Sequence, residues 1–196
     1  ISRISPSKSV ELGIGFSPED RKQEGLCLAL SLKENIGRAS LDALFKSGFV
    51  NSRKEREVAR KYIQELDIAT PSEDRLAIYL SGGTQQKVVL AQWLCAGSSV
   101  LILDEPTSVL TPLEVEDLFR IIRNLRDEGK SILLITHKVR EALAISDQIS
   151  ILRAGRLLRT IPSKETNELE LASLIVEGFV PSPHLSWGNI GESILL

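Results

Sequence analysis

Val100-Leu101-Ile102-Leu103 is an unbroken apolar run that stops at two acids, Asp104-Glu105. A run that short and that apolar suits a strand covered on both faces. Strands of this kind belong to parallel sheets, whose carboxyl ends carry the polar chemistry. Ser131 to Ile135 predicts a second buried strand beside the first, followed by Thr136-His137. Between them Pro112 predicts the first turn of a helix. Val115, Leu118, Phe119, Ile122 and Leu125 form its apolar stripe, and Gly129 ends it. Strand, helix, strand, helix implies an α/β domain with a mostly parallel sheet and crossover helices.

The rest of the chain fits around that centre. Gly13 to Ser17 reads as a strand end, broken by the charged loop Pro18-Glu19-Asp20-Arg21. Leu26 to Asn35 reads as loop and then a short helix. Arg53 to Leu66 predicts a helix whose apolar positions are Val58, Tyr62, Ile63 and Leu66, ended by Thr70-Pro71. Ser81 is an N-cap for a helix with Val88, Leu90, Ala91 and Leu94 on its apolar face. A short helix near Val139 to Ile145, a hairpin turning at Ala154-Gly155, and a helix from Asn167 to Val176 follow. Pro181-Ser182-Pro183 begins a linker. Trp93, Trp187, Tyr62 and Tyr79 read as packing groups.

Composition excludes several classes. Hydrophobic residues at 42% and charged residues at 26% are those of a folded globular chain. A formal net charge of −2, without a basic block, points away from nucleic acid. Cys27 and Cys95 have no metal-ligand spacing and read as semi-buried thiols. No apolar run reaches the roughly 18 residues that span a bilayer, and Ile1 to Lys8 leads into no signal-peptide core. With no methionine anywhere, the start is expected to be a cut within a longer sequence.

Three segments carry chemistry. Asp104 is placed to hold Mg²⁺, which takes hard oxygen ligands and few protein contacts. Glu105 is placed to orient or deprotonate an attacking water. Each also fits an ordinary acidic strand end. Ser81-Gly82-Gly83 lets backbone N–H groups approach an anion at a helix N-terminus, and also fits a plain cap. His137, after a buried strand and a threonine, is within reach of a terminal phosphate or is a surface residue.

Together these segments resemble the ATP-binding-cassette (ABC) ATPase family. Leu80 to Lys87 resembles its signature motif, Val100 to Thr107 its Walker B strand with the catalytic glutamate, and Ile135-Thr136-His137 its switch histidine, in family order. The loop from Gly15 to Leu26 resembles the second cassette of tandem sugar-importer ATPases of the ribose or xylose type. Glu19 stands where other cassettes carry a glutamine that contacts metal and the transport channel. From Ser108 onward the resemblance is to the first cassette of the same proteins, so the two kinds of sequence meet near Thr107. A divergent member, a recombined gene and an engineered join all give that pattern.

The resemblance implies a P-loop-NTPase-like fold, as a partial cassette with an inserted helical subdomain. Residues 1–27 are the end of the core with the loop around Glu19, 28–98 the helical signature subdomain, 99–178 the core, and 179–196 a linker and the start of a following cassette. ATP and Mg²⁺ are the implied cofactors. Glu105 and His137 are implied to be catalytic, and Asp104 to bind Mg²⁺. Ser81, Gly82, Gly83 and Gln85 are implied to touch ATP held by an opposing cassette, so Ser81–Gly83 should lie far from Asp104 within one chain. The partners implied are a second cassette, a membrane permease and, indirectly, a periplasmic or extracellular sugar-binding protein. The place implied is peripheral, at the cytoplasmic face of the membrane. One alternative is an inactive fragment or regulatory module that keeps only the signature surface. Another is a soluble ABC ATPase serving ribosomes or DNA repair, which the sugar-type loop disfavours.

The Gly-x-x-x-x-Gly-Lys-Ser/Thr phosphate loop does not occur in the 196 residues and is expected upstream of Ile1. Without its lysine and backbone cradle, Asp104 and Glu105 present only negative charge to a triphosphate. The isolated 196-residue chain is therefore expected to release phosphate from ATP no faster than its Glu105→Gln variant. Steady-state phosphate release near roughly one turnover per second, well within the range of working enzymes, would overturn that expectation.

Overall fold

Leu101 and Leu103 are each 1% exposed, and the strand that carries them organises the first of two units. The computed structural model describes residues 5–40, 45–46 and 49–177, and the chain divides into residues 1–145 and 146–196. The expected linker and following segment, 179–196, lie outside the described residues, as does Trp187.

In the first unit, β1 (Ile14–Ser17), β4 (Val100–Asp104) and β5 (Ser131–Ile135) form a parallel sheet in the order β1-β4-β5. Leu101 pairs with Gly15 on one side and Ile132 on the other. The expected adjacency of the two apolar strands is met. Their burial differs, however. β4 alternates buried and half-buried positions, whereas β5 has no fully buried residue and Ile135 is exposed. β5 is an edge of the described sheet, and one face of an edge strand meets fewer neighbours than a central one.

The helices around the sheet follow their sequence signals. α1 (Pro6–Glu11) is capped by Ser5 with Pro6 in its first turn, a start signal that the sequence reading passed over. α2 (Leu32–Gly37) carries a Ser31/Glu34 capping box. α3 (Ser52–Glu65) begins at the Asn51 cap and turns Val58, Tyr62 and Ile63 toward the core. The backbone of β2 (Phe45–Lys46) pairs antiparallel with that of β3 (Phe49–Val50).

α4 (Gly82–Cys95) packs on α2, α3 and β1, and on α5 (Pro112–Asp127). It is buried almost all round. Val88, Val89, Leu90 and Ala91 are 0% exposed, and Gln85, Gln86 and Gln92 are also buried. The single apolar face read from sequence is therefore too narrow, because neighbours enclose this helix on several sides. Gln86 remains compatible with burial by donating to Ser17 Oγ at 3.0 Å. α5 presents the expected stripe of Leu118, Phe119, Ile122 and Leu125 to the same core. Lys87 of α4 pairs with Asp117 of α5, which also holds Arg120. Trp93 packs against Gly15, where an added Cβ would meet the indole at 2.7 Å. Tyr79 is no core residue: it is exposed, with the Arg75 guanidinium stacked 4.7 Å from its ring centre. Both cysteines are half-buried free thiols, as expected.

α6 (Val139–Ile145) closes the first unit. The second unit contains the hairpin β6 (Gln148–Arg153) and β7 (Arg156–Pro162). Ala154 and Gly155 both take positive φ, 47° and 74°, as a tight two-residue hairpin turn requires. α7 (Glu168–Glu177) packs on β6, with Leu171, Ile151 and Ile161 buried.

Leu101→Ala is expected to cost about 3 kcal/mol, because it removes a fully buried side chain between two paired strands. Leu113→Ala, at a 77% exposed position, should stay within about 0.5 kcal/mol of wild type. Urea unfolding of the two variants checks both values. Equal, small losses would mean that β4 is not the packed centre.

Candidate functional site

The parallel pairing of β4 with β5 brings their carboxyl ends together, with Asp104 opposite Ile135. Immediately beyond, Glu105 turns through φ +40°, in the left-handed region that costs an L-residue roughly 1–2 kcal/mol. Its N–H still donates to the Ile135 carbonyl at 2.9 Å, which fastens the strained turn to the neighbouring strand. Non-glycine residues held this way concentrate at functional sites.

The side chain of Glu105 is 13% exposed and well anchored. Its Oε1 accepts the backbone N–H of His137 at 2.8 Å and lies 2.8 Å from His137 Nδ1. Thr136 Oγ1 donates to Oε2 at 3.4 Å. A carboxylate can only accept, so Nδ1 carries a proton here and Nε2 remains for another partner. The imidazole itself is 76% exposed. Glu105 and His137, separate in sequence, thus form one pair.

A second layer fixes the loop that carries His137. Lys138 Nζ donates to the Thr107 carbonyl at 3.0 Å and to its hydroxyl at 3.1 Å, and pairs with Glu141 at 3.2 Å. Thr107, only 1% exposed, donates to Glu141 at 2.5 Å. These three residues tie the segment after β4 to the start of α6. Sequence reasoning passed over Lys138 and Glu141, whose shared partner Thr107 lies more than thirty positions away from each.

Ser81 caps α4 as expected, accepting from the Thr84 N–H at 3.3 Å. The group that meets this helix end is unexpected. Glu114 Oε1 accepts the Gly83 N–H at 3.2 Å and lies 3.4 Å from the Ser81 hydroxyl. Its Oε2 accepts from the Thr111 N–H and hydroxyl, both at 3.0 Å, which completes a capping box on α5. One carboxylate therefore serves two helix N-termini. The Thr111 backbone N–H, supported by the Thr111 hydroxyl, the Gly83 N–H and the Ser81 hydroxyl, holds Glu114 below the ordinary carboxylate range against the opposing effect of burial. The T-x-x-E spacing from Thr111 to Glu114 is a cap signal visible in the sequence. Its reach to Gly83 is not.

Glu19, Arg21, Gly82, Gln85 and Asp104 line one cavity of about 800 Å³. Of the signature residues Ser81–Gly83, only Gly82 lines the cavity that Asp104 also lines. The Ser108–Val109 segment after β4 lines it as well, and Val109 O lies 3.6 Å from where a Gly82 Cβ would be. Ser81, by contrast, contacts Glu114 and makes no hydrogen bond to Glu105. Gln85 is buried, its amide nitrogen committed to the Ala77 carbonyl at 3.0 Å.

Among the described residues no hydrogen bond or ion pair engages the Asp104 carboxylate, and no cluster of three or more His, Cys, Asp or Glu forms a metal cage. No helix among the described residues is long and apolar enough to cross a membrane.

Known proteins resemble this chain in sequence and in fold. Residues 4–108 match the family model described as ABC transporter. The ribose import ATP-binding protein RbsA of Rhodopirellula baltica is 36% identical over 164 residues, 84% of this chain and 32% of that protein. RbsA of Bacillus subtilis is 34% identical over 174 residues, 89% of this chain and 35% of the relative. The chain spans about a third of the length of the curated relatives it matches. Among solved structures, a dimeric ATP-binding cassette in a post-hydrolysis state with ADP and Pi superposes with a TM-score of 0.67 at 21% identity, covering 82% of this chain and 68% of the other. A putative metal-chelate type ABC transporter gives 0.71 at 19%, covering 84% and 64%.

A carboxylate whose folded pKa is depressed stabilises the fold fully above its unfolded pKa, about 4.3 for glutamate, and loses that contribution as pH falls through the lower folded value. Glu114→Gln is therefore expected to be less stable than wild type at pH 7, with the difference shrinking once pH falls below that range. Thermal melts of both proteins at pH 7 and pH 3 check this. A gap that persists undiminished at pH 3 would show that the Glu114 charge contributes nothing.

Proposed function

The chain belongs to the ABC transporter family, and on that footing we propose that it is part of the ATP-binding, ATP-hydrolysing subunit of a sugar importer. The observation that carries the reading is the Glu105–His137 pair at the carboxyl edge of β4 and β5. It sets an imidazole 2.8 Å from a carboxylate, with the left-handed turn at Glu105 and the hydrogen bonds between the two already in place.

In this reading Glu105 orients the attacking water and accepts its proton. His137 keeps Glu105 aimed through Nδ1 and its backbone N–H, and hydrogen-bonds the terminal phosphate through Nε2. Asp104, with Glu19 lining the same cavity, would hold Mg²⁺, which would supply charge neutralisation at the phosphates. Thr107, Lys138 and Glu141 keep the switch loop in register. Ser81, Gly82, Gly83 and Gln85 serve ATP held by a second cassette, in the head-to-tail arrangement that the resemblance implies. The 28–98 segment and the loop around Glu19 meet a membrane permease at the cytoplasmic face. A sugar-binding protein outside the membrane delivers substrate to that permease. The relatives named for ribose import support a sugar as the cargo class.

The test is Glu105→Gln in the assembled importer reconstituted with its permease. Phosphate release is expected to fall by about 10² or more, while ATP affinity stays within about threefold, since the amide keeps Oε1 as an acceptor. Turnover that survives the substitution would remove Glu105 from the reaction and with it the proposed site.

A further inference from the structure

Two neighbours of the α4 N-terminus have no role in the scheme above. Arg21 sits in a single π-type turn, Arg21–Gly25, closed by Leu26 N–H donating to the Arg21 carbonyl at 2.8 Å. The residue is 3% exposed, and among the described residues its Nε has no hydrogen-bond partner. It lines the same cavity as Gly82, and Nη2 lies 2.9 Å from where a Gly82 Cβ would be. A buried guanidinium with an unused donor, pressed against a helix N-terminus, is suited to an anion that it does not now touch. Glu114, the second neighbour, reaches that helix end through Gly83 and acts on Arg21 at longer range. A Cβ on Gly83 would lie 2.5 Å from Glu114 Oε1, so the glycine is what admits the carboxylate.

We propose that Arg21, Gly82 and Gly83 form an anion subsite in which the Glu114 carboxylate stands in for a phosphoryl group and is exchanged for it on binding. The inference rests on the reading that Ser81–Gly83 receives a phosphate. It adds that Arg21 is a binding residue and that the site is guarded by the protein's own acid. Backbone donors and the helix dipole satisfy a carboxylate and a phosphate in the same manner, so either can occupy the position but both cannot. Arg21, which makes no hydrogen bond through Nε to Glu114, favours the incomer with more oxygens to offer. Burial pushes the Arg21 guanidinium below its ordinary value, while Glu114 and Asp20 pull the other way. An incoming anion would add to that compensation.

The probe is inorganic phosphate, followed by phosphorus NMR line broadening on the whole chain, which needs no turnover. Glu114→Gln removes the competing charge but keeps an acceptor for Gly83 and Thr111. It is expected to tighten phosphate binding about tenfold, roughly the effect of one charge-assisted contact. Glu114→Asp, too short to span from α5 to Gly83, should tighten it as well and serves if the glutamine variant folds poorly. Adding Arg21→Gln to either should abolish the gain. A non-hydrolysable ATP analogue that displaces phosphate, where ADP does not, assigns the phosphoryl group to a nucleotide; displacement by neither assigns it to free phosphate. Unchanged or weaker binding in both Glu114 variants overturns the exchange, and a gain that survives Arg21→Gln overturns the role of Arg21. The catalytic reading fails separately, on the Glu105→Gln turnover.

Discussion

The parallel pairing of β4 between β1 and β5 is the constraint from which the rest follows. Leu101 and Leu103 are packed on both sides, so the strand has almost no freedom to slip or tilt. A one-residue slip would turn its buried positions outward. Because that register is fixed, Asp104 ends opposite Ile135, and Glu105 emerges where it can bond both the end of β5 and the residue two beyond it. The left-handed turn at Glu105 is sustained by that double attachment. Strain of this size persists only where neighbouring structure over-determines the conformation.

The site is therefore built in two tiers of different rigidity. Glu105 is sheltered and held by three donors, while the His137 ring is mostly in solvent. The Thr107–Lys138–Glu141 network stands behind the histidine without touching Glu105. A fixed carboxylate with an exposed, singly tethered imidazole allows one member to stay aimed while the other responds to what arrives.

Much of this was legible in the sequence because its causes are local. The apolar run ending at Asp104-Glu105, the Ser81 cap and the stripe along α5 each report a neighbourhood of a few residues, and each lies where it was expected. What escaped depends on residues far apart. The burial of Arg21 and of three glutamines around α4, the dual capping by Glu114 and the partial exposure of β5 are decided by which elements close over them. Composition offers no clue to a buried arginine, since charged residues are usually outside. The π-type turn at Arg21 is likewise invisible to period counting, because one such turn has no repeat.

Gly83 and Glu114 touch so closely that neither is free to drift by itself. Any side chain at 83 would collide with the carboxylate, and shortening residue 114 would leave the Gly83 amide to find another acceptor. Lys87 and Asp117 form a parallel linkage one turn along the same two helices. A join near Thr107, as the resemblance implies, would fall between the members of both pairs. Any splice there between α4 and α5 would have to inherit matched partners on either side, so these two pairs mark where ancestry and packing would have to agree.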